Sequence, residues 1–152
     1  MSAREIDEEQ LEAPAGIFAR ATHRAHRMGL PYAGAVTPTE AHHLAEAGAA
    51  RIIDVRTPEE WRDVGHVEGP ALVVWPRDGS ADEVHAFIRK LRERFDPAQP
   101  LLFLCRSGVR SHFAAIVAAS AGFKKSYNVL EGFEGHPGAN DGWQAAGLPW
   151  TR

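Results

Sequence analysis

Cys105 is the only cysteine among 152 residues, and it stands in the segment LLFLCRSGVRS, residues 101–111. Four apolar residues precede it, and Arg106, Ser107, Gly108, Val109, Arg110 and Ser111 follow. A thiol at such a boundary is either a buried structural cysteine, since free cysteine is among the most buried residue types, or a nucleophile. The residues after it favour the second reading, because each of them suits negative charge. Gly108 admits a positive φ, which lets successive backbone N–H groups converge on one point as a nest. Ser107 and Ser111 add hydroxyl donors, and Arg106 and Arg110 bring guanidinium forks suited to a tetrahedral oxyanion. A helical pattern begins near Arg110 or Ser111, and the positive end of its dipole adds to the same spot. The thiolate is the reactive form of cysteine, whereas a free thiol with a pKa of about 8.5 is mostly protonated at neutral pH. The loop is therefore expected to favour the anion.

The elements that must position this loop are legible as punctuation along the chain. TPTE at 37–40 is a capping box with Pro at the first helical position, and Gly48 stands where that helix should stop. RIIDV at 51–55 reads as a buried strand, TPEE at 57–60 repeats the capping signature, and ALVVW at 71–75 reads as a second strand. SADE at 80–83 opens an amphipathic helix with Val84, Phe87, Ile88, Leu91 and Phe95 on one stripe. LLFL is a third strand, SHFAAIVAASAG a helix ended by Gly122, SYNVL at 126–130 a fourth strand, and DGWQAAG a last short helix. Short, continuously apolar strands alternating with helices predict an α/β fold of three layers, with a mostly parallel central sheet flanked by helices. The thiol then lies past the carboxyl end of a strand, where open α/β sheets bind ligands.

Ahead of this domain, residues 1–13 carry five acids against one arginine and read as a frayed leader. Ile17, Phe18, Ala21, Ala25 and Met28 recur at helical spacing, with Arg20, Arg24 and Arg27 expected to form a solvated basic face. The division is a leader with an accessory helix over 1–34 and the main domain over 35–152.

The totals narrow the function classes. A hydrophobic content of 44% and a charged content of 24% are ordinary for one soluble domain. A net charge of -3 gives no basic face for nucleic acid. No apolar run approaches the ~20 residues that span a bilayer, and the acidic start lacks the pattern of a signal peptide. One cysteine forms no internal disulfide, so a reducing, cytoplasmic setting is expected. His23 and His26 have a spacing that could share a metal, but no carboxylate or thiol completes a ligand set, and no metal is expected.

CRSGVRS resembles the active-site loop of the rhodanese (sulfurtransferase) family, and its companions occur in the family's order. These are IIDVRTPEEW at 52–61, GHVEGP at 65–70, and NVLEGF, GW and GLPW between 128 and 150. The resemblance runs from Thr37 to Trp150 and implies a single-domain rhodanese in which Cys105 carries sulfur as a persulfide. It also implies that residues 106–111 surround the sulfur, and that Asp54 and Arg56 support neighbouring loops by ion pairing. Glu68 and Pro70 depart from the family pattern. So do the extra residues in EGFEGHPGANDGW, which would place His136 or Asp141 on a rim over the site.

The chemistry so implied needs a small anionic sulfur donor of the thiosulfate type and an acceptor that is a thiol, cyanide or a protein. It calls for no cofactor, nucleic acid or membrane. Without a second cysteine, nothing within the chain can resolve the persulfide, so the acceptor comes from outside. Two other readings stay open: a non-catalytic or relay rhodanese-like binding module, and a cysteine phosphatase or arsenate reductase. Against the phosphatase stands the loop length, since Cys105 and Arg110 are one residue closer than in phosphatase loops. Leu104 also stands where those enzymes have histidine.

Overall fold

The computed structural model describes residues 13–76 and 79–152. The expected leader lies outside the described residues except for Ala13. Helices and strands alternate as α1 (Pro14–Met28), β1 (Gly34–Val36), α2 (Pro38–Glu46), β2 (Arg51–Asp54), α3 (Pro58–Val64), β3 (Ala71–Leu72), α4 (Ala81–Arg94), β4 (Leu101–Leu104), α5 (Val109–Ser120) and β5 (Ser126–Val129). The five strands form one parallel sheet in the order β1-β5-β4-β2-β3. This is the α/β, three-layer architecture that the pattern predicts.

The central strand β4 is buried along its whole length because both faces of the sheet are covered. Side chains of a strand alternate between faces. Leu102 and Leu104 accordingly join Ile17, Ala21, Leu44, Val129 and Trp143 in one core layer. Leu101, Phe103 and Cys105 face the other way, into a layer with Phe87, Leu91, Ala114, Ala115, Ala118 and Phe123. The parity of β4 therefore sends the thiol toward the layer of α4 and α5.

Helix starts follow their caps. Thr37 and Glu40 close a reciprocal capping box on α2, and Thr57 and Glu60 close one on α3, each with proline in the first turn. Ser80 accepts from the Glu83 amide to start α4.

The arginines of α1 differ from the solvated face expected of them. Arg27 is exposed, but Arg20 Nε lies 2.9 Å from Glu40 Oε2 and Arg24 Nη1 lies 2.6 Å from Glu40 Oε1. The Glu40 carboxylate, 7% exposed, thus caps α2 and clasps α1 at once. With Ile17 and Ala21 wholly buried, α1 is part of the core.

Three local readings change. β1 escaped the pattern because Gly-Ala-Val is too short and too small to show a period. The segment 71–75 is a strand only at Ala71–Leu72, although Val73 and Trp75 still donate to the backbone of β2 and its end, at Asp54 O and Val55 O. DGWQAAG forms turns instead of a helix, since the four residues between Gly142 and Gly147 offer too few bonds to offset nucleation.

Burial raises the pKa of Glu40 more than any other single influence. Arg24, the Thr37 amide and Arg20 together outweigh it and hold the carboxyl below the ordinary glutamate value. A lowered folded-state pKa contributes stability above the unfolded value, and that contribution is lost as pH falls through the folded one. Glu40→Gln should therefore destabilise the chain by about 1–3 kcal/mol at pH 7. The deficit should shrink as urea unfolding is repeated below about pH 4.

Candidate active site

Cys105 follows β4 directly and is 1% exposed. Its Sγ accepts a hydrogen bond from the Gly108 amide at 3.1 Å and lies 3.2 Å from Ser111 Oγ. Gly108 makes the first contact possible: its φ of 99° turns the chain back over the sulfur, a conformation that strains any residue with a Cβ. It is also the N-cap of α5, so the sulfur sits at the positive end of a helix of 12 residues. Ser107 is half-buried, and Val109 is 60% exposed. The loop thus supplies one amide and one hydroxyl to the sulfur in place of the expected convergence of several amides.

The loop arginines also differ from two uncommitted forks. Arg110 makes a bidentate pair with Glu60, Nη1 to Oε1 at 2.7 Å and Nη2 to Oε2 at 2.9 Å. Arg106, largely exposed, lies 3.3 Å from Glu134 Oε2. The hydrogen bond to Glu60 holds Arg110 still more firmly protonated, against the opposing effect of burial, and the charges of Glu60, Cys105 and Asp54 add to it. For Glu60, burial is the largest influence and raises the pKa. The hydrogen bond and charge of Arg110, helped by the Thr57 amide and Arg56, outweigh it and keep the carboxyl low.

Asp54 and Arg56 lie deeper, both essentially without exposure. Arg56 Nη2 donates to Asp54 Oδ2 at 2.9 Å and to Gly65 O at 3.0 Å, while Trp61 Nε1 donates to Asp54 Oδ2 at 2.9 Å. The Arg56 guanidinium lies 4.4 Å from the centre of the Phe133 ring. These contacts tie the end of β2 to α3, to the turn at Gly65 and to the segment after β5.

That last segment fastens the Cys105 loop. Phe133 N donates to Cys105 O at 2.8 Å and Glu134 N to Arg106 O at 2.9 Å. Such an approach requires glycine at 132: with φ at 69°, a Cβ there would lie 2.5 Å from the Arg106 carbonyl and 2.7 Å from Cys105 O. Beyond it, His136 Nδ1 and Asp141 Oδ2 pair at 2.7 Å on the loop formed by the extra residues. The Asp141 carboxyl is held low, first by the His136 amide and then by its ring.

A cavity of about 230 Å³ lined by His42, Glu46, Arg51, Val67, Glu68 and Trp143 lies at the amino-terminal end of β2. Cys105 is at the opposite end of the parallel sheet, so cavity and thiol are separate features. Among the described residues no cluster of histidine, cysteine and carboxylates could hold a metal ion, and no helix is long and apolar enough to cross a membrane.

A family model described as a rhodanese-like domain matches residues 37–136. The chain belongs to the rhodanese-like domain family. It is 38% identical over 104 residues to the uncharacterized protein RP600 of Rickettsia prowazekii, covering 66% of this chain and 82% of that one. The crystal structure of Rv0390 from M. tuberculosis is 42% identical, with a TM-score of 0.67, over 78% of this chain and 97% of that chain. A tRNA uridine(34) hydroxylase of Chlamydia abortus shares 28% identity over 95 residues, which are 62% of this chain but 28% of the hydroxylase. A rhodanese-like domain from Anabaena, at 18% identity and a TM-score of 0.59 over 76% of each chain, shares the fold.

Within this rhodanese-like domain the structure brings together Cys105, Gly108, Ser111 and Arg110, and sets Asp54 and Arg56 behind them. Sequence reasoning missed the pairing of Glu60 with Arg110, because the capping box had already accounted for that carboxylate. It also missed Asn128, whose Nδ2 donates to Gly108 O at 3.1 Å and whose Oδ1 accepts from Ser111 Oγ at 2.6 Å. The available signal was a lone amide in the buried strand SYNV, since a buried polar group has to find a partner.

Gly132→Ala should destabilise the domain by about 1–3 kcal/mol more than Gly138→Ala. Both glycines have positive φ, but only the first would drive a Cβ into the Cys105 loop. Thermal unfolding of the two variants checks this.

Proposed function

We propose that the chain is a sulfurtransferase that carries sulfane sulfur as a persulfide on Cys105. The observation that carries this reading is the contact of the Gly108 amide with the Cys105 sulfur at a helix N-terminus, because both favour negative charge on that atom. The Cys105 thiolate attacks the outer sulfur of a donor such as thiosulfate. A bond forms between the two sulfurs, the donor's own S–S bond breaks, and sulfite leaves with the electron pair. A thiophile, whether a thiol, cyanide or a protein thiol, then attacks the outer sulfur and restores the Cys105 thiolate. No step calls for a metal or an organic cofactor.

Arg106 is the more available of the two loop cations, being 66% exposed and joined to Glu134 by one 3.3 Å contact. It is the residue we assign to the departing sulfite, while Arg110, locked to Glu60, acts as a fixed positive charge beside the sulfur. His136 and Asp141 belong to the rim that an acceptor would pass. A thiol that must stay reduced suits a reducing compartment, and the cytoplasm is the proposed location.

Intact mass spectrometry after incubation with thiosulfate should show one added sulfur atom, located on Cys105 by peptide mapping and absent from Cys105→Ser. Thiosulfate:cyanide sulfur transfer should likewise vanish in Cys105→Ser while the circular dichroism stays unchanged. A folded protein that gains no sulfur from thiosulfate or from a persulfide donor would favour the binding-module reading. Hydrolysis of a phosphate ester that depends on Cys105 would favour the phosphatase.

A further inference from the structure

The Ser111 hydroxyl has one proton and two neighbours that can receive it, the Cys105 sulfur at 3.2 Å and Asn128 Oδ1 at 2.6 Å. Which neighbour takes it is decided on the far side of Asn128. A carbonyl oxygen only accepts, so the Asn128 atom 3.1 Å from Gly108 O is the amide nitrogen, and the amide oxygen therefore faces Ser111. Held in this way, the amide oxygen draws the Ser111 proton to itself and leaves Ser111 Oγ toward the sulfur as an acceptor for the thiol proton. Gly108 is gripped on both sides, its carbonyl by Asn128 and its N–H by the sulfur. The Tyr32 phenol oxygen lies 2.7 Å from His112 Nδ1.

We infer that Asn128 is a positioning residue for the nucleophile: it withholds the Ser111 proton from the Cys105 sulfur and anchors, through its carbonyl, the glycine whose N–H donates to that sulfur. Ser111 thereby stabilises the resting thiol and opposes its ionisation, and the Gly108 amide is the donor left for the anion. The inference rests on Cys105 being the reactive group. Its test reads the thiol alone, so it can fail while sulfur transfer stands, and the reverse.

The test is a double-mutant cycle of Asn128→Leu, Ser111→Ala and the pair, reading the pH at which alkylation of Cys105 by iodoacetamide is half-maximal. Arg110 with Glu60, Arg56 with Asp54, Arg106 with Glu134, and His112 with Tyr32 are the charged and titratable groups around the site. All are present in every chain compared, so their contributions cancel in the cycle. Asn128→Leu alone frees the Ser111 proton for the sulfur and should lower the half-maximal pH by about one unit, a tenfold gain in thiolate below it. In the Ser111→Ala background only the loosened hold on Gly108 remains, so the same substitution should shift it by less than about a third of that, and upward. An equal shift in both backgrounds, or an upward shift or none with Ser111 present, would overturn the inference. Should leucine unfold the chain, Asn128→Asp keeps the shape and the acceptor and adds negative charge. It should raise the half-maximal pH, and by more with Ser111 present than with Ser111→Ala. A fall, or an equal rise in both backgrounds, would overturn the inference.

Discussion

The 3.1 Å hydrogen bond from the Gly108 amide to the Cys105 sulfur asks a great deal of the chain around it. Four residues must turn back on themselves between a buried strand and a helix, and the donor must stay in place when the sulfur changes its charge. Gly108 supplies the turn with a left-handed φ. Asn128 holds the carbonyl end of Gly108, and Phe133 and Glu134 hold the carbonyls of Cys105 and Arg106. A hydrogen bond to a charged group stabilises it by roughly 1.5–3 kcal/mol, provided that the donor does not have to be reorganised. The supports matter because they remove that reorganisation.

Charge is managed in the same spirit. Arg110 is paired with Glu60, Arg56 with Asp54 and Arg106 with Glu134, so each cation near the loop is matched by a carboxylate. The two inner pairs serve as struts: Arg110 with Glu60 joins the loop to α3, and Arg56 with Asp54 ties the end of β2 to α3 and to the turn at Gly65. Of these three cations Arg106, at the surface, has the pair that is easiest to break, because exposed pairs are weak. The loop therefore combines fixed inner ion pairs with one exposed cation.

How much of this could be read from the chain depended on whether the signal was local. The apolar run LLFL, the capping boxes at Thr37 and Thr57 and the glycine in CRSGVRS are each set by residues within a few positions, and each led to the right element. The place of Cys105 between a strand and a helix start was legible because the three are contiguous. Glu60, Asn128 and the clasp of Glu40 on Arg20 and Arg24 were not, since each acts across 16 to 50 residues of sequence. Glu60 and Glu40 had a local explanation as caps that concealed a second role. β1 and the turns around Trp143 were misjudged for a related reason: tertiary packing, and not local propensity, decides segments so short.

The central claim is that the Gly108 N–H is the donor that holds the anionic sulfur, and the most direct measurement is its amide proton in a heteronuclear NMR titration. As pH rises through the ionisation of Cys105, the Gly108 amide should move downfield by more than any other amide of the loop, and it should do so again on conversion to the persulfide. In Cys105→Ser the response to pH should disappear. A Gly108 amide that stays still while those of Arg106, Ser107 or Val109 move would mean that the sulfur is held by other donors, contradicting the account.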